Sequence, residues 1–330
     1  MSGKRNTPLW RRVASLTSLL LVALAGILPL AATAQSGSTP ALKLVVPVTA
    51  GGNMDAATRF VGQRLALRLG RAVLIENKPG AQQVMGTEYV VRSAPDGNTL
   101  LVVGAAVLSN PSLYKLSYQA LTDLTPVSGL IQTRFALVVR KDLPVRSLDE
   151  FLALLKSQKT PLSCAAAPGP ALLACEQLRK MTRDDLVVVP FNGAAPAATA
   201  VLGGHVDLAF VTTDMVLAQQ DSGRWQALAM GDALPVRAPL PALPSLSGRL
   251  PGFEVTGMFG FMAPAKTPPA QIAQLSKAIH EVLAEADVEA HFTRQGDALW
   301  RLGADDFGRY LRSETERVGA LIKSAGIKAP

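Results

Sequence analysis

The chain has 330 residues, 48% of them hydrophobic and only 5% aromatic, with 33 Lys and Arg against 25 Asp and Glu and a formal net charge of +8. That length supports two ordinary domains, each with a core of its own. No Lys/Arg-rich run interleaved with aromatics appears, which excludes the usual nucleic-acid binders, and His205, His280 and His291 have no metal-ligand spacing to one another, to a cysteine or to an acidic pair.

Lys4, Arg5, Arg11 and Arg12 give a cationic start, Val13 to Leu30 is an apolar run containing Pro29, and Ala32-Thr33-Ala34 has the small-x-small form that a signal peptidase requires. These are the parts of a secretory signal, so residues 1–34 are expected to be cleaved and the chain to work in the periplasm. The apolar run approaches the length of a membrane span, but Pro29 and the Ala-rich end suit cleavage better. The four cations leave with the signal and halve the formal charge. A mildly basic protein remains, in which weak steering favours anionic ligands. No later segment is long and apolar enough to span a bilayer.

Strands and helices then alternate. Leu42 to Val46 reads as a buried strand, Met54 to Leu69 as a helix stopped by Gly70, and Val73 to Ile75 as a second strand before the turn cluster Asn77-Lys78-Pro79-Gly80. Thr87 to Ser93 is a helix, and Thr99 to Val103 and Phe135 to Val139 are strands. Ser147-Leu148-Asp149-Glu150 is a capping box opening a helix through Leu155. Leu162 to Ala165, Val187 to Val189 and Leu208 to Val211 are strands with helices between them. The Pro-rich stretch from Leu234 to Pro251 is a long surface loop. Thr267-Pro268-Pro269 opens a helix through Leu283, and Asp305 to Lys323 is a final amphipathic helix. Such alternation implies parallel sheets with helices on both faces. Cys164 ends a strand and Cys175 lies mid-helix. They read slightly more readily as two buried thiols than as a pair, although an oxidising compartment would permit the bond.

Three strand-to-helix loops are candidates for a carboxylate site. The first, Pro47 to Asp55, contains Thr49, Ala50, Gly51, Gly52 and Asn53. Glycines let backbone approach a ligand, and the unpaired N–H groups of the following helix start hold an anion without a basic side chain. Asp55 sits in the first helical turn, placed to cap N–H groups. The loop lacks the Lys and spacing of a phosphate loop, which argues against nucleotides. The second is Phe191-Asn192-Gly193-Ala194-Ala195-Pro196, and the third is Ala165-Ala166-Ala167-Pro168-Gly169-Pro170. All three lie beyond the carboxyl ends of strands, where open α/β sheets bind ligands.

Seven stretches in order resemble the Bug proteins, the substrate-binding receptors of tripartite tricarboxylate transporters. Pro47 to Asp55 resembles the family's P-F-x-x-G-G-x-x-D, Glu76 to Ala81 its E-N-[KR]-P-G-A, and Ala94 to Leu100 its A-P-D-G-Y-T-L. Asn110 to Tyr114 resembles N-P-x-L-Y, Phe191 to Ala197 Y-K-G-x-x-P-A, Leu202 to Asp207 L-G-G-x-V-D, and Leu250 to Val255 L-P-G-F-E-V. The resemblance implies a type II periplasmic-binding-protein fold: α/β, two domains with parallel-core sheets flanked by helices, and a cleft between them. On that pattern residues 35–136 begin domain 1, 137–253 form domain 2, and 254–330 return to domain 1. It implies that backbone N–H groups of Thr49 to Asn53 and of Gly193 to Ala195, with Asn192 beside them, grip a ligand carboxylate, and that Ser109 lies near the cleft.

Two departures from the pattern bear on the ligand. The family's polar third loop is Ala166-Ala167-Pro168-Gly169 here, and the Asp of its F-D-x motif is Val211, followed by Thr212. A buried ligand hydroxyl or amine left without a partner loses about 1–3 kcal/mol, so a carboxylate with an apolar or aromatic body is expected. Arg134, at the domain crossing, either pairs with a second ligand carboxylate or is a solvated surface arginine. Ser109 and Ser163 have no identifiable base, and there is no G-x-S-x-G elbow, so no enzyme, cofactor or metal is expected. The expected partners are a small organic carboxylate and a membrane permease of the tripartite type, or else a sensor kinase, with no nucleic acid and a monomeric receptor.

Overall fold

The computed structural model describes residues 40–327 except 158, 159, 168, 183, 184, 192 and 237. The expected signal segment, together with Pro168 and Asn192 of two candidate loops, lies outside the described residues. Among those described, no helix is long and apolar enough to cross a membrane.

The first parallel unit follows from alternating apolar runs. Strand β1 (Leu42–Val46) pairs in parallel with β2 (Val73–Asn77) and β3 (Thr99–Val103). Leu42, Leu44, Val46, Leu100 and Val102 face one layer, while Val45, Leu101 and Val103 face the other. Both sets are buried because helices cover both faces, the condition under which parallel strands lose their polar side. On one face lie α1 (Asn53–Leu69), α9 (Pro269–Leu283) and α10 (Ala286–Arg294), through residues such as Val61, Leu65, Ile279 and Phe292. On the other lie α2 (Val84–Val91), α3 (Ala106–Leu113), α4 (Ala120–Asp123) and the last helix, α11 (Ala304–Ala325), through Phe307, Leu311 and Ile322. Helix α1 stops where Gly70 turns left-handed, at φ 61°.

The second lobe repeats the plan. Strand β5 (Ser163–Ala166) lies in parallel between β6 (Val187–Pro190) and β7 (Leu208–Thr212). Helices α5 (Leu148–Ser157), α6 (Pro170–Thr182), α7 (Ala194–Leu202) and α8 (Thr213–Ala218) pack around a separate cluster that includes Phe151, Leu178, Val201 and Val216. Ser147 Oγ accepts the Glu150 N–H at 3.2 Å, as the capping box requires. The Glu150 carboxylate reaches back one residue further than expected, to the Arg146 N–H at 2.6 Å.

One strand joins the lobes. β4 runs from Leu124 to Arg140, far longer than the Phe135–Val139 expectation, because Pro126 and Gly129 interrupt the apolar pattern without ending the strand. Register shifts between Pro126 and Ser128 and between Gly129 and Ile131 absorb the interruption. Its first half pairs antiparallel with β9 (Thr256–Pro264) and β10 (Ala298–Leu299), and its second half with β7 and β8 (Trp225–Met230). The sheets are therefore mixed: a parallel trio in each lobe, with antiparallel return strands that the alternation rule did not foresee.

Cys164 and Cys175 form a disulfide, with Cα atoms 6.0 Å apart, tying β5 to α6. This corrects the reading as free thiols. Chain folding brings a helix face over the strand, a proximity that spacing alone does not reveal.

Candidate functional site

Both parallel trios direct their carboxyl ends towards the boundary between the lobes, and the loops there line two adjoining cavities. One, of about 170 Å³, is bounded by Asn53, Gln83, Thr133, Phe135, Gly169 and Thr212 among others. The second, of about 360 Å³, is bounded by Ser109, Asn110, Tyr114, Ala166, Leu172 and Phe191 among others. Gln82, Ala106 and Gly169 border both. The walls come from both lobes, so a molecule held here touches both.

The first loop is held from beneath. Asp55, 3% exposed, accepts the Gly51 N–H at 3.0 Å, the Asn77 amide at 2.9 Å and Arg59 Nε at 2.9 Å. Asn77 also donates to the Val48 carbonyl at 3.1 Å, binding the end of β2 to the same loop. Arg59 above all, with the two further donors, lowers the Asp55 carboxyl to about 2 against the cost of burial. The carboxylate shapes the loop from inside, and its oxygens are occupied. Gly51 takes φ 93°, which a side chain would oppose, and Gly52 begins α1 without a side-chain cap. Thr49, Ala50, Gly51 and Gly52 are exposed, while Asn53 enters the cavity wall.

In the second loop Gly193 takes φ 150° and begins α7, again without a side-chain cap. Ala194 and Ala195 are exposed at that helix start. In the third loop Ala166 lines the larger cavity, and Ala167 is buried with its carbonyl accepting the Leu172 N–H at 3.0 Å.

The sequence-predicted residues thus divide. Asn53, Ser109, Ala166 and Thr212 meet at the cavities. Val211 does not: it is 2% exposed within the core of the second lobe, paired with Ala136 across the sheet. A one-residue change of strand phase separates it from Thr212. Arg134 fits neither expectation. It is 4% exposed and grips Asp232 bidentately at 3.0 and 2.8 Å, while also donating to the carbonyls of Leu234 and Pro235.

Sequence reading missed a buried acid. Asp297, 6% exposed, lies beside Thr133 where β10 meets β4. Burial, and next the charge of Asp214 at the start of α8, push its carboxyl up to about 7, against the Asn53 amide and the Arg134 N–H. Asp297 Oδ2, Asp214 Oδ1 and Thr133 Oγ1 are buried oxygens without hydrogen-bond partners among the described residues. No sequence signal marks this group, which comes from three distant stretches. Gln82 and Gln83 were also missed, although the Pro79-Gly80 turn follows a strand at the same sheet edge.

Two lobes of this topology with a cleft at their strand ends define a solute-binding protein of the periplasmic kind. The family model described as "Tripartite tricarboxylate transporter family receptor" matches residues 57–327, and the chain belongs to that family, one of receptors and not of enzymes. A UPF0065 protein of Bordetella bronchiseptica is 29% identical over 314 residues, covering 94% of this chain and 93% of the relative. BugT of Bordetella pertussis is 29% identical over 317 residues, covering 94% and 96%. Among solved structures, the periplasmic binding protein BugD superposes with a TM-score of 0.75 at 29% identity, over 88% of this chain and 99% of that one. An R. palustris protein with adipate gives 0.78 at 26%, over 88% and 98%. MatC of Rhodopseudomonas palustris with bound malate gives 0.72 at 29%, over 86% and 99%.

Proposed function

We propose that the chain is exported, loses residues 1–34, and captures a small organic carboxylate in the periplasm for a tripartite tricarboxylate-type permease. The observation that carries the reading is the cleft itself, walled by both lobes and flanked by two uncapped, glycine-led helix starts. The positive ends of α1 and α7 stabilise a carboxylate through backbone N–H groups of Gly52 and Asn53 and of Gly193 to Ala195. Gly51 contributes shape, since its N–H is held by Asp55. Hinge closure between a lobe of residues 35–136 with 254–330 and one of residues 137–253 follows when ligand bridges both and favours the closed form. Phe191, Leu172 and Ala166 give the larger cavity an apolar wall, which favours a ligand with an apolar or aromatic body. The solved relatives with malate and adipate make carboxylates the first class to test.

Titration calorimetry of the mature chain with benzoate, adipate, malate, citrate and glutamate tests this. Tight citrate or glutamate binding with benzoate ignored overturns the apolar-body reading, and binding of none overturns the carboxylate reading. Gly193→Pro removes one N–H and imposes a φ far from 150°. We predict that it weakens binding at least about tenfold. Wild-type affinity in that variant would place the carboxylate elsewhere.

A further inference from the structure

The turn between β2 and α2 has left-handed backbone at three successive residues that carry side chains: Ala81 at φ 45°, Gln82 at 52° and Gln83 at 73°. Runs of this kind are unfavourable for L-residues and persist only where the surroundings enforce them. Here Asn110, 4% exposed, donates its amide to the Gln82 carbonyl at 2.9 Å, and Thr87 donates its hydroxyl to the Gln83 carbonyl at 2.8 Å. Glycine would take these angles freely.

The strained turn places its side chains in the cleft. Gln82 borders both cavities and Gln83 the smaller one, where its amide lies against Gly104. Neither carboxamide has a hydrogen-bond partner among the described residues. Of the other polar groups of the larger cavity, the Asn110 amide is engaged on the turn and Ser109 Oγ on the Ala106 carbonyl at 3.5 Å, while Tyr114 adds a phenol to the same wall. The facing wall, with Ala166, Leu172, Pro190 and Phe191, offers no side-chain donor.

We propose that Gln82 and Gln83 are specificity-determining residues whose carboxamides read a neutral hydrogen-bonding substituent on the apolar body of the carboxylate ligand. The inference rests on the carboxylate reading above. A carboxamide supplies both donor and acceptor but no charge. A hydroxyl or amide substituent is therefore matched, whereas a second ionised group would enter an apolar cavity without a counter-charge.

The test combines calorimetry with thermal melting on the mature chain and on Gln82→Gly, Gln83→Gly and the double variant, using benzoate, 3- and 4-hydroxybenzoate and adipate. The wild type should prefer at least one hydroxybenzoate over benzoate by about tenfold or more, and over adipate. The glycine variants should melt higher, since strain is released, while the preference falls below about twofold. Higher melting with lost discrimination is not what a merely structural turn would show. Retained discrimination, lower melting, no wild-type discrimination or tighter adipate binding overturns the proposal while the carboxylate reading stands. A wild type that binds none of the four sinks the carboxylate reading and this inference with it.

Discussion

Arg134 shows how much a single side chain decides here. Its guanidinium and the Asp232 carboxylate are both buried, and their bidentate pair joins the crossing strand to the segment that follows β8. Gly231 and Val255 pack in the same place, with the Gly231 N–H donated to the Phe135 carbonyl at 2.8 Å and the Val255 N–H to the Gly231 carbonyl at 2.9 Å. The pair therefore staples β4, where it passes between the lobes, to the segment after β8. Removing one partner leaves a buried charge unanswered, a loss of about 3–5 kcal/mol. We predict that Arg134→Ala lowers the melting temperature by about 10 °C, and a change under about 2 °C would refute the staple. From sequence Arg134 was an isolated cation, because Asp232 lies 98 residues away. Asp55 was more legible. Its place in a first helical turn predicted capping, although its three partners at Gly51, Asn77 and Arg59 show that it acts inside the loop.

At the scale of elements, the disulfide is the least expected feature. It links β5 to α6 across a separation of 11 residues, and so clips the third loop between them. Closing a loop of that size stabilises by about 2–3 kcal/mol in the chain-entropy account. We predict that the Cys164→Ala/Cys175→Ala double variant unfolds at lower denaturant, and that dithiothreitol shifts the wild type to match while leaving the variant unchanged. A reductant effect on both proteins alike would show that the bond is not its source. The bond also fits a protein of an oxidising compartment. Most elements were readable because their patterns are local: β1, β3 and α9 carry clear apolar periodicity. Strands β8, β9 and the first half of β4 were not. The glycines and prolines of β9 and of the first half of β4 look like loop, β8 is a short run without clear alternation, and only pairing with β4 or β9 makes them strands.

For the whole molecule, two carboxyls set opposite limits on stability. Asp55 lies at about 2 in the fold, below its ordinary 3.8, so its stabilising contribution holds above 3.8 and is lost as pH falls towards 2. Asp297 lies at about 7, above its ordinary 3.8, so its contribution is full below 3.8 and is lost as pH rises through 7. We predict greatest stability near pH 4, with melting falling by about 5 °C or more from pH 4 to pH 7 and levelling off above that. Asp297→Asn should flatten that decline between pH 4 and pH 7. A flat wild-type profile between pH 4 and pH 7 would show that the Asp297 carboxyl is not raised in the fold. An anionic ligand placed beside Asn53 would also bind more tightly as Asp297 takes up its proton, since a negative charge near it is removed.

By itself the sequence determined the α/β class, the order of most elements, the family and the loops at which a ligand carboxylate is expected, because periodicity, turn residues and motifs are written over a few adjacent positions. The tertiary structure alone decided which side chains face the cleft. It turned Val211 into the core and Thr212 outward, gave Arg134 to Asp232, joined Cys164 to Cys175, and set Asp297 beside Thr133 and Asn53. Each of those outcomes depends on which face a strand presents, or on contact between stretches far apart in the chain, and neither is encoded locally.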